Sequence, residues 1–512
     1  MNRLIVEREP VNPGLRAFVA MGLIAAFCLF VLAALGGLVL ALVLELVYLG
    51  HPGIFTLAGV VLVLLAGRWI FFLVDRGDAP GPVVDENNQP RLVEMVRQVA
   101  ERVGGRMPDR VVVIPEAGIV CLDRCRFPGL FWWRELRIGM ALCDQLSVGA
   151  LRALIAGELA REFAVPDRRQ AFICRLDSSL YRAVVESQRS FLTSPLEWYL
   201  RIFLMVTRPL TRRMKAAAEI RAARAVGKDV YAGALSSALQ ISHRFSLFLQ
   251  QEILALLTAG GLPDNIYAGF RVWRSRTDNS PRGNGLDDGL ADGTVDLLGG
   301  VSLPAERLAA INALVESRPW DDPAPARELI LQPEQMERLV TPFVAETFHR
   351  QGLRRLDRRP FLVPWDDVPG KIIVPQQRAR AEHVLKILGR MLSRQVEPME
   401  GIDIYLKLID VPELKIRLAG RLDPNLARIP PVLHPQLVHS VLVRFLGTLV
   451  GNTLVEQHDY RWEKGIARPL KVVGSQGENL DPFSLAGDLL EGRLHVGNFR
   501  MRLFEHGLFV GR

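Results

Sequence analysis

Histidine is scarce in this chain, nine in 512 residues, and none lies between His51 and His243. A zinc site built on paired histidines is therefore excluded from that interval. The cysteines are fewer still: Cys28, Cys121, Cys125, Cys143 and Cys174. Their odd number excludes a fully paired disulfide framework. Only Cys121 and Cys125 are spaced like metal ligands and no second pair completes a site, so reduced, mostly buried thiols are expected. Charge is absent from Ala17 to Leu44, 28 residues. That run exceeds the ~20 apolar residues that span a bilayer and the core of a signal peptide, so it is expected to stay in the membrane. No internal repeat is visible.

At 512 residues and 49% hydrophobic, the chain can bury a large core and form two or three folded units besides a membrane segment. A second apolar run, Ile54 to Val74, follows the short link Gly50-His51-Pro52-Gly53, and the two runs predict a helical hairpin. Arg68 interrupts the second run close enough to its end to snorkel to the interface. Arg3, Arg8 and Arg16 precede the hairpin, Arg76 follows it, and the turn holds no Lys or Arg. The positive-inside rule then places both termini and the soluble domains in the cytoplasm, as an integral two-pass membrane protein. A net charge of +8 fits a domain lying against an anionic leaflet, so the lipid bilayer is an expected partner and nucleic acid is not.

The pattern divides the chain into a membrane anchor over 1–79, a domain over 80–280, a flexible Gly/Asp-rich linker over 281–302, a helical continuation over 303–360 and a C-terminal α+β domain over 361–512. Leu92, Val93, Val96, Val99, Ala100 and Val103 recur at helical spacing, and Arg110 to Pro115 reads as a strand. Leu136 to Leu142 reads as a strand or strand end. Ser147 is a plausible N-cap for a helix whose Leu151, Leu154, Ile155, Leu159 and Phe163 mark a buried face. Leu196 to Leu210 is apolar but short and charged, which predicts an interfacial helix or one packed on the domain. Lys215 to Gly227 is alanine-rich and helical. Asp288, Asp292 and Asp296 miss the EF-hand spacing and read as a solvated loop. Pro304 to Arg358 reads as helical, followed by a break over Pro360 to Gly370. Helices are expected over Arg378 to Met391 and Pro435 to Val455, and strands over Leu494 to Val496 and Phe499 to Phe504. His434 and His439, five apart, are a poor helical metal pair.

The helix after Ser147 carries Gly157-Glu158-Leu159-Ala160-Arg161, the outline of a His-Glu-x-x-His zinc helix with both histidines replaced. Later come Pro195-Leu196-Glu197-Trp198-Tyr199 and Lys215-Ala216-Ala217-Ala218-Glu219, with Ala222-Ala223 and Gly227 beyond. In order and content, roughly residues 15 to 260 resemble the HtpX-like and CAAX-prenyl-protease group of membrane-bound zinc metallopeptidases. The resemblance implies a mainly α fold: a two-helix transmembrane hairpin, then a zincin-like helical domain with a small sheet. It also implies zinc, held in the family by two histidines and an acidic residue of a later helix. Counting back from Gly227 and the alanine pair puts Lys215 at that acidic position and Glu219 where the family has an aspartate. The other register, with Glu219 as the ligand, misplaces the alanine pair and the glycine. Ile119-Val120-Cys121-Leu122 stands where the family shows an Asn-Ala element on a strand beside the cleft.

Glu158 is thus the remnant of a general base without its metal, and Gly157, Arg161 and Lys215 occupy degenerate ligand positions. A divalent ion ~4.5 Å from a unit cation is repelled by roughly 7 kcal/mol at an effective dielectric of about 20. No cofactor is therefore expected. A buried lone carboxylate is costly, so Glu158 is expected to join an ion cluster with Arg161 and Lys215 in place of the zinc. The expected function is a membrane-anchored, catalytically inactive pseudopeptidase that binds polypeptides or membrane proteins. Two alternatives stay open: an active metalloendopeptidase with a non-standard metal site, and a structural subunit whose C-terminal domain carries the function.

Overall fold

The computed structural model describes residues 13–51, 53–61, 80–125, 132–162, 194–278, 304–314, 319–350, 360–423, 426, 434–466, 468, 470–475 and 477–493. These residues are mainly helical, with three small sheets. Two compact units emerge, Met1–Phe248 with Asp278–Arg358, and Leu249–Thr277 with Arg359–Arg512. The sequence pattern put one domain over 80–280; the fold instead passes 249–277 to the second unit. The reason is pairing: Gly261–Pro263 forms a parallel strand pair with Phe361–Val363, and Trp365 Nε1 donates to the Asn265 carbonyl at 2.6 Å.

The first unit opens with α1 (Pro13–Leu49), 37 residues long. After a turn at Gly50, residues 54–61 are helical and fold back, with Gly59 against Leu38. Glu45, nearly buried, accepts the backbone N–H groups of Gly53 (2.6 Å), Phe55 (2.8 Å) and Thr56 (3.0 Å). An anionic side chain thereby satisfies donors that a helix N-terminus leaves unpaired. The rest of the second apolar run, with Arg68 and Arg76, lies outside the described residues, as do Arg3 and Arg8. A two-pass membrane topology is accordingly not supported by helix length. Among the described residues only Pro435–Gln457 is long and apolar enough to cross a membrane, and 67% of it is buried. By the same criterion α1 supplies only the shorter stretch Gly36–Tyr48.

Strand β1 (Val83–Val84) leads to α2 (Pro90–Val103), whose Leu92, Val93, Val96, Val99, Ala100 and Val103 are buried as their spacing predicts. Strands β2 (Arg110–Ile114), β3 (Ile119–Cys125) and β4 (Trp132–Gly139) complete a sheet of order β1-β2-β4-β3. β2 runs parallel to β4, while β3 is antiparallel to β4 and forms an edge. The strand expected over Leu136 to Leu142 stops at Gly139, whose Cβ position would lie 2.2 Å from the Glu116 carbonyl. The chain turns there into α3 (Met140–Gln145).

Ser147 Oγ accepts the Ala150 N–H at 3.2 Å and caps α4 (Val148–Leu159). Leu151, Ile155 and Leu159 are buried; a 3₁₀ turn over Ala160–Glu162 ends the helix, and Phe163 lies outside the described residues. The two helices expected over Leu196 to Leu210 and Lys215 to Gly227 are one, α5 (Ser194–Val226), 33 residues long. It runs through Pro209 with one stripe, Phe203, Thr207, Ala218 and Ala222, buried along its length, and it packs on both α1 and α4. Gly227, at φ +104, ends it. α6 (Lys228–Phe248) returns along α4.

A π-helical turn (Leu249–Ile253), α7 (Leu254–Thr258), β5 (Gly261–Pro263) and α8 (Ile266–Asp278) follow in the second unit. The Gly/Asp-rich stretch with Asp288, Asp292 and Asp296 lies outside the described residues. Back in the first unit come α9 (Pro304–Asn312), α10 (Pro333–Val340) and α11 (Phe343–Arg350). The region expected to be helical throughout contains instead an extended strap over 319–325. Its carbonyls explain why: Ala324 accepts from Val148 N–H (2.7 Å) and Asp322 from Gly149 N–H (2.9 Å), the free donors of the α4 N-terminus.

In the second unit β6 (Phe361–Val363) pairs with β5. α12 (Val374–Leu392), α13 (Pro398–Ile409) and α14 (Pro412–Leu422) surround the core helix α15 (His434–Gln457). An antiparallel sheet of β7 (Tyr460–Glu463), β8 (Lys471–Gly474) and β9 (Asn479–Leu480), with α16 (Pro482–Leu490), closes it. Leu388, Tyr405, Leu418, Leu442 and Leu446 are its fully buried centre. The strands expected over Leu494 to Val496 and Phe499 to Phe504 lie outside the described residues.

Candidate functional site

The motif helix α4 lies between α5 and α6 and beside the edge strand β3. Alanine makes the α5 approach close: Ala218, Ala222 and Ala223 are all fully buried. Gly157 serves the other side. A Cβ placed there would sit 2.4 Å from Tyr231 Oη of α6 and 3.1 Å from its ring, so any side chain must displace a buried tyrosine.

Glu158, on the next position, is 17% exposed. Its Oε2 accepts two donors, Arg161 Nη1 at 3.0 Å and the backbone N–H of Cys121 at 3.1 Å. Gly118 accepts from the Gly139 N–H, which fixes the alternation along β3 and turns the Cys121 amide away from β4. The carboxylate therefore closes one donor of the sheet edge. Arg161, on the 3₁₀ turn, is 41% exposed. Lys215 is half-buried on α5, and Glu219, one turn on, is buried. The structure thus brings together Glu158 and Arg161 of the expected cluster, adds the Cys121 amide, and sets Tyr231 against Gly157. Neither addition was legible beforehand: a backbone N–H has no residue signature, and Tyr231 lies 74 positions beyond Gly157.

Burial pushes the Cys121 thiol up to about 12, with Glu158 and Asp123 adding to the rise and Arg134 and Arg161 opposing it. Burial likewise pushes Cys143 up to about 12. Both are free thiols, protonated at neutral pH. His439 Nε2 stands 3.6 Å from Glu491 in the second unit. Cys174 lies outside the described residues.

Two further ion clusters brace the first unit. Glu135, fully buried on β4, meets Arg137 Nε at 2.7 Å and Arg110 Nη1 at 3.8 Å. Arg327, just past the strap, meets Asp144 of α3 at 3.5 Å and Glu337 of α10 at 3.1 Å, both carboxylates being buried.

Comparison with protein-family models, with curated proteins and with solved structures finds no match for this chain. Zinc, which the sequence resemblance implies, does not fit the residues at the motif. Gly157 offers no donor and no room for one, Arg161 offers a cation, and Glu158 already has two partners. Among the described residues no three His, Cys, Asp or Glu side chains gather as a metal site needs.

Proposed function

We propose that this chain is a membrane-anchored, metallopeptidase-like pseudopeptidase. It binds polypeptides or membrane proteins without cutting them. The observation that carries the reading is the state of Glu158. A general base must present a free carboxylate oxygen to water beside a Lewis acid. Here the cation beside the carboxylate is the Arg161 guanidinium rather than a metal, the strand amide shares the same Oε2, and the neighbouring position packs on Tyr231. The protein forms a zincin-like domain on a two-helix transmembrane hairpin, with both termini and the soluble units cytoplasmic. Support for the anchor comes from apolar side chains left uncovered along α1 and its return segment, among them Phe18, Leu29, Leu32, Val47, Ile54, Phe55 and Leu57. An exposed apolar surface of that extent on a water-soluble chain would drive aggregation.

Metal analysis of the purified full-length protein tests the inactive reading. The expected result is less than stoichiometric zinc and no chelator-sensitive proteolysis. One zinc per chain, removed by chelator with loss of proteolysis, would overturn it. A pull-down from membranes with the full chain should retain a defined protein partner, and retention of none would remove the binding role.

A further inference from the structure

Helix α5 joins two environments. It packs on both the motif helix and α1, with Ala218, Ala222 and Ala223 fully buried in its C-terminal half and Phe203 and Thr207 fully buried in its N-terminal half. On α1, Ala20 is also fully buried, near the start of the uncharged run. Yet Met205, two residues from Phe203 and so on another face of the helix, is 70% exposed with the whole chain in place. α1, which packs on this helix, also leaves apolar side chains exposed, with Phe18 at 75%. Sequence adds a sharp change of character along the helix. From Trp198 to Ala218 there is no acidic residue, while Arg201, Arg208, Arg212, Arg213 and Lys215 all fall in that span, four of them within eight positions.

We propose that the first half of α5 is embedded in the anionic cytoplasmic leaflet beside α1, with the membrane boundary at Arg208–Lys215. The inference rests on the membrane-anchor reading and extends it to a helix that is too charged to span. The apolar half of a helix packed on the anchor is covered by lipid at no loss of backbone hydrogen bonds, because a helix satisfies them internally. A cation-only segment at its end meets anionic headgroups, to which each Lys or Arg is attracted within a Debye length. Since α5 is unbroken from Ser194 to Val226, the motif helix is then referenced directly to the membrane plane. A polypeptide partner of that site would be met at the bilayer surface.

The test uses the full chain reconstituted in vesicles of phosphatidylcholine mixed with phosphatidylglycerol. A photo-crosslinking benzophenone amino acid is placed in turn at Met205, at Leu32 on α1 and at Leu339, an exposed residue of α10. Lipid adducts, read by mass, are expected at Leu32 and Met205 and not at Leu339. The yield at Met205 should fall several-fold in vesicles of phosphatidylcholine alone. Adducts at Leu32 without adducts at Met205 would overturn the inference and leave the anchor intact, whereas none at either position would overturn the anchor itself. A crosslinked dimer of the chain at Met205, or equal yield in both lipids, also counts against it.

Discussion

At the scale of single residues, Glu158 acts as a bracket between a turn and a strand. Glu158→Ala leaves the Cys121 amide without its acceptor, and an unmet hydrogen-bonding group costs about 1–3 kcal/mol. Arg161→Ala should cost less, within about 1 kcal/mol, since its side chain is 41% exposed and solvent screens the pair. A double-mutant cycle by chemical unfolding should find coupling between positions 158 and 161, and no coupling there would refute the bracket. Gly157 gives a second expectation. Gly157→His must overpack against Tyr231 and should lose about 1–3 kcal/mol. Combined with Arg161→His and Lys215→Glu it should take up zinc only when Tyr231→Ala makes room; titration calorimetry reads the difference, and uptake with Tyr231 intact would show that the packing is not the barrier. Thiol titration gives the third. Cys121 and Cys143 have folded values raised from 9.0 to about 12, so the unfolded chain releases its protons first. Stability from this source is complete below pH 9 and falls as pH rises toward 12, by roughly 1.4 kcal/mol per unit per thiol. Unfolding midpoints that fail to become steeper in pH for the native chain than for its Cys121→Ala variant would contradict this.

Among the elements, the strap over 319–325 matters most to the motif helix. It feeds carbonyls to the first two amides of α4, places Asp322 3.2 Å from Arg152, and sets Trp320 under the guanidinium groups of both Arg152 and Arg102 at 5.0 and 5.3 Å. Gly149 makes the approach feasible, since a Cβ there would lie 2.6 Å from the Asp322 nitrogen. Beyond the strap, Arg327 holds two buried carboxylates that belong to different elements. Arg327→Ala takes the cation from both, and breaking such a pair typically costs about 3–5 kcal/mol. Adding Glu337→Gln should recover part of the loss by removing one buried charge. Equal stability of the wild type and Arg327→Ala in thermal unfolding would show that the cluster does not hold the strap.

For the molecule as a whole, the proposed hairpin predicts that tags on both termini resist protease added from the outer side of intact membranes. Digestion of either tag would refute the proposed topology, whatever the state of the motif. The same scale explains why the chain folds as two units whose boundary does not follow the sequence landmarks. The glycine- and aspartate-rich stretch looked like the natural divide. The chain had in fact crossed already at Phe248, because strand β5 finds its hydrogen-bond partner in β6, about a hundred residues later.

Sequence alone determined the local elements: the α2 face from Leu92 to Val103, the Ser147 cap, strand β2, and the helices around Arg378 to Met391 and Pro435 to Val455. Each rests on periodicity or on a cap, and both act between residues a few positions apart. It also determined that the motif lacks histidine, a matter of composition. Tertiary structure decided what surrounds Gly157 and Glu158. The Tyr231 ring at Gly157 and the Cys121 amide at Glu158 arrive from α6 and β3, brought in by packing and strand register, which leave no mark on neighbouring residues. The strap over 319–325 carries three prolines, Pro319, Pro323 and Pro325, which oppose a helix there, but only the fold shows that its carbonyls meet the unpaired amides of α4.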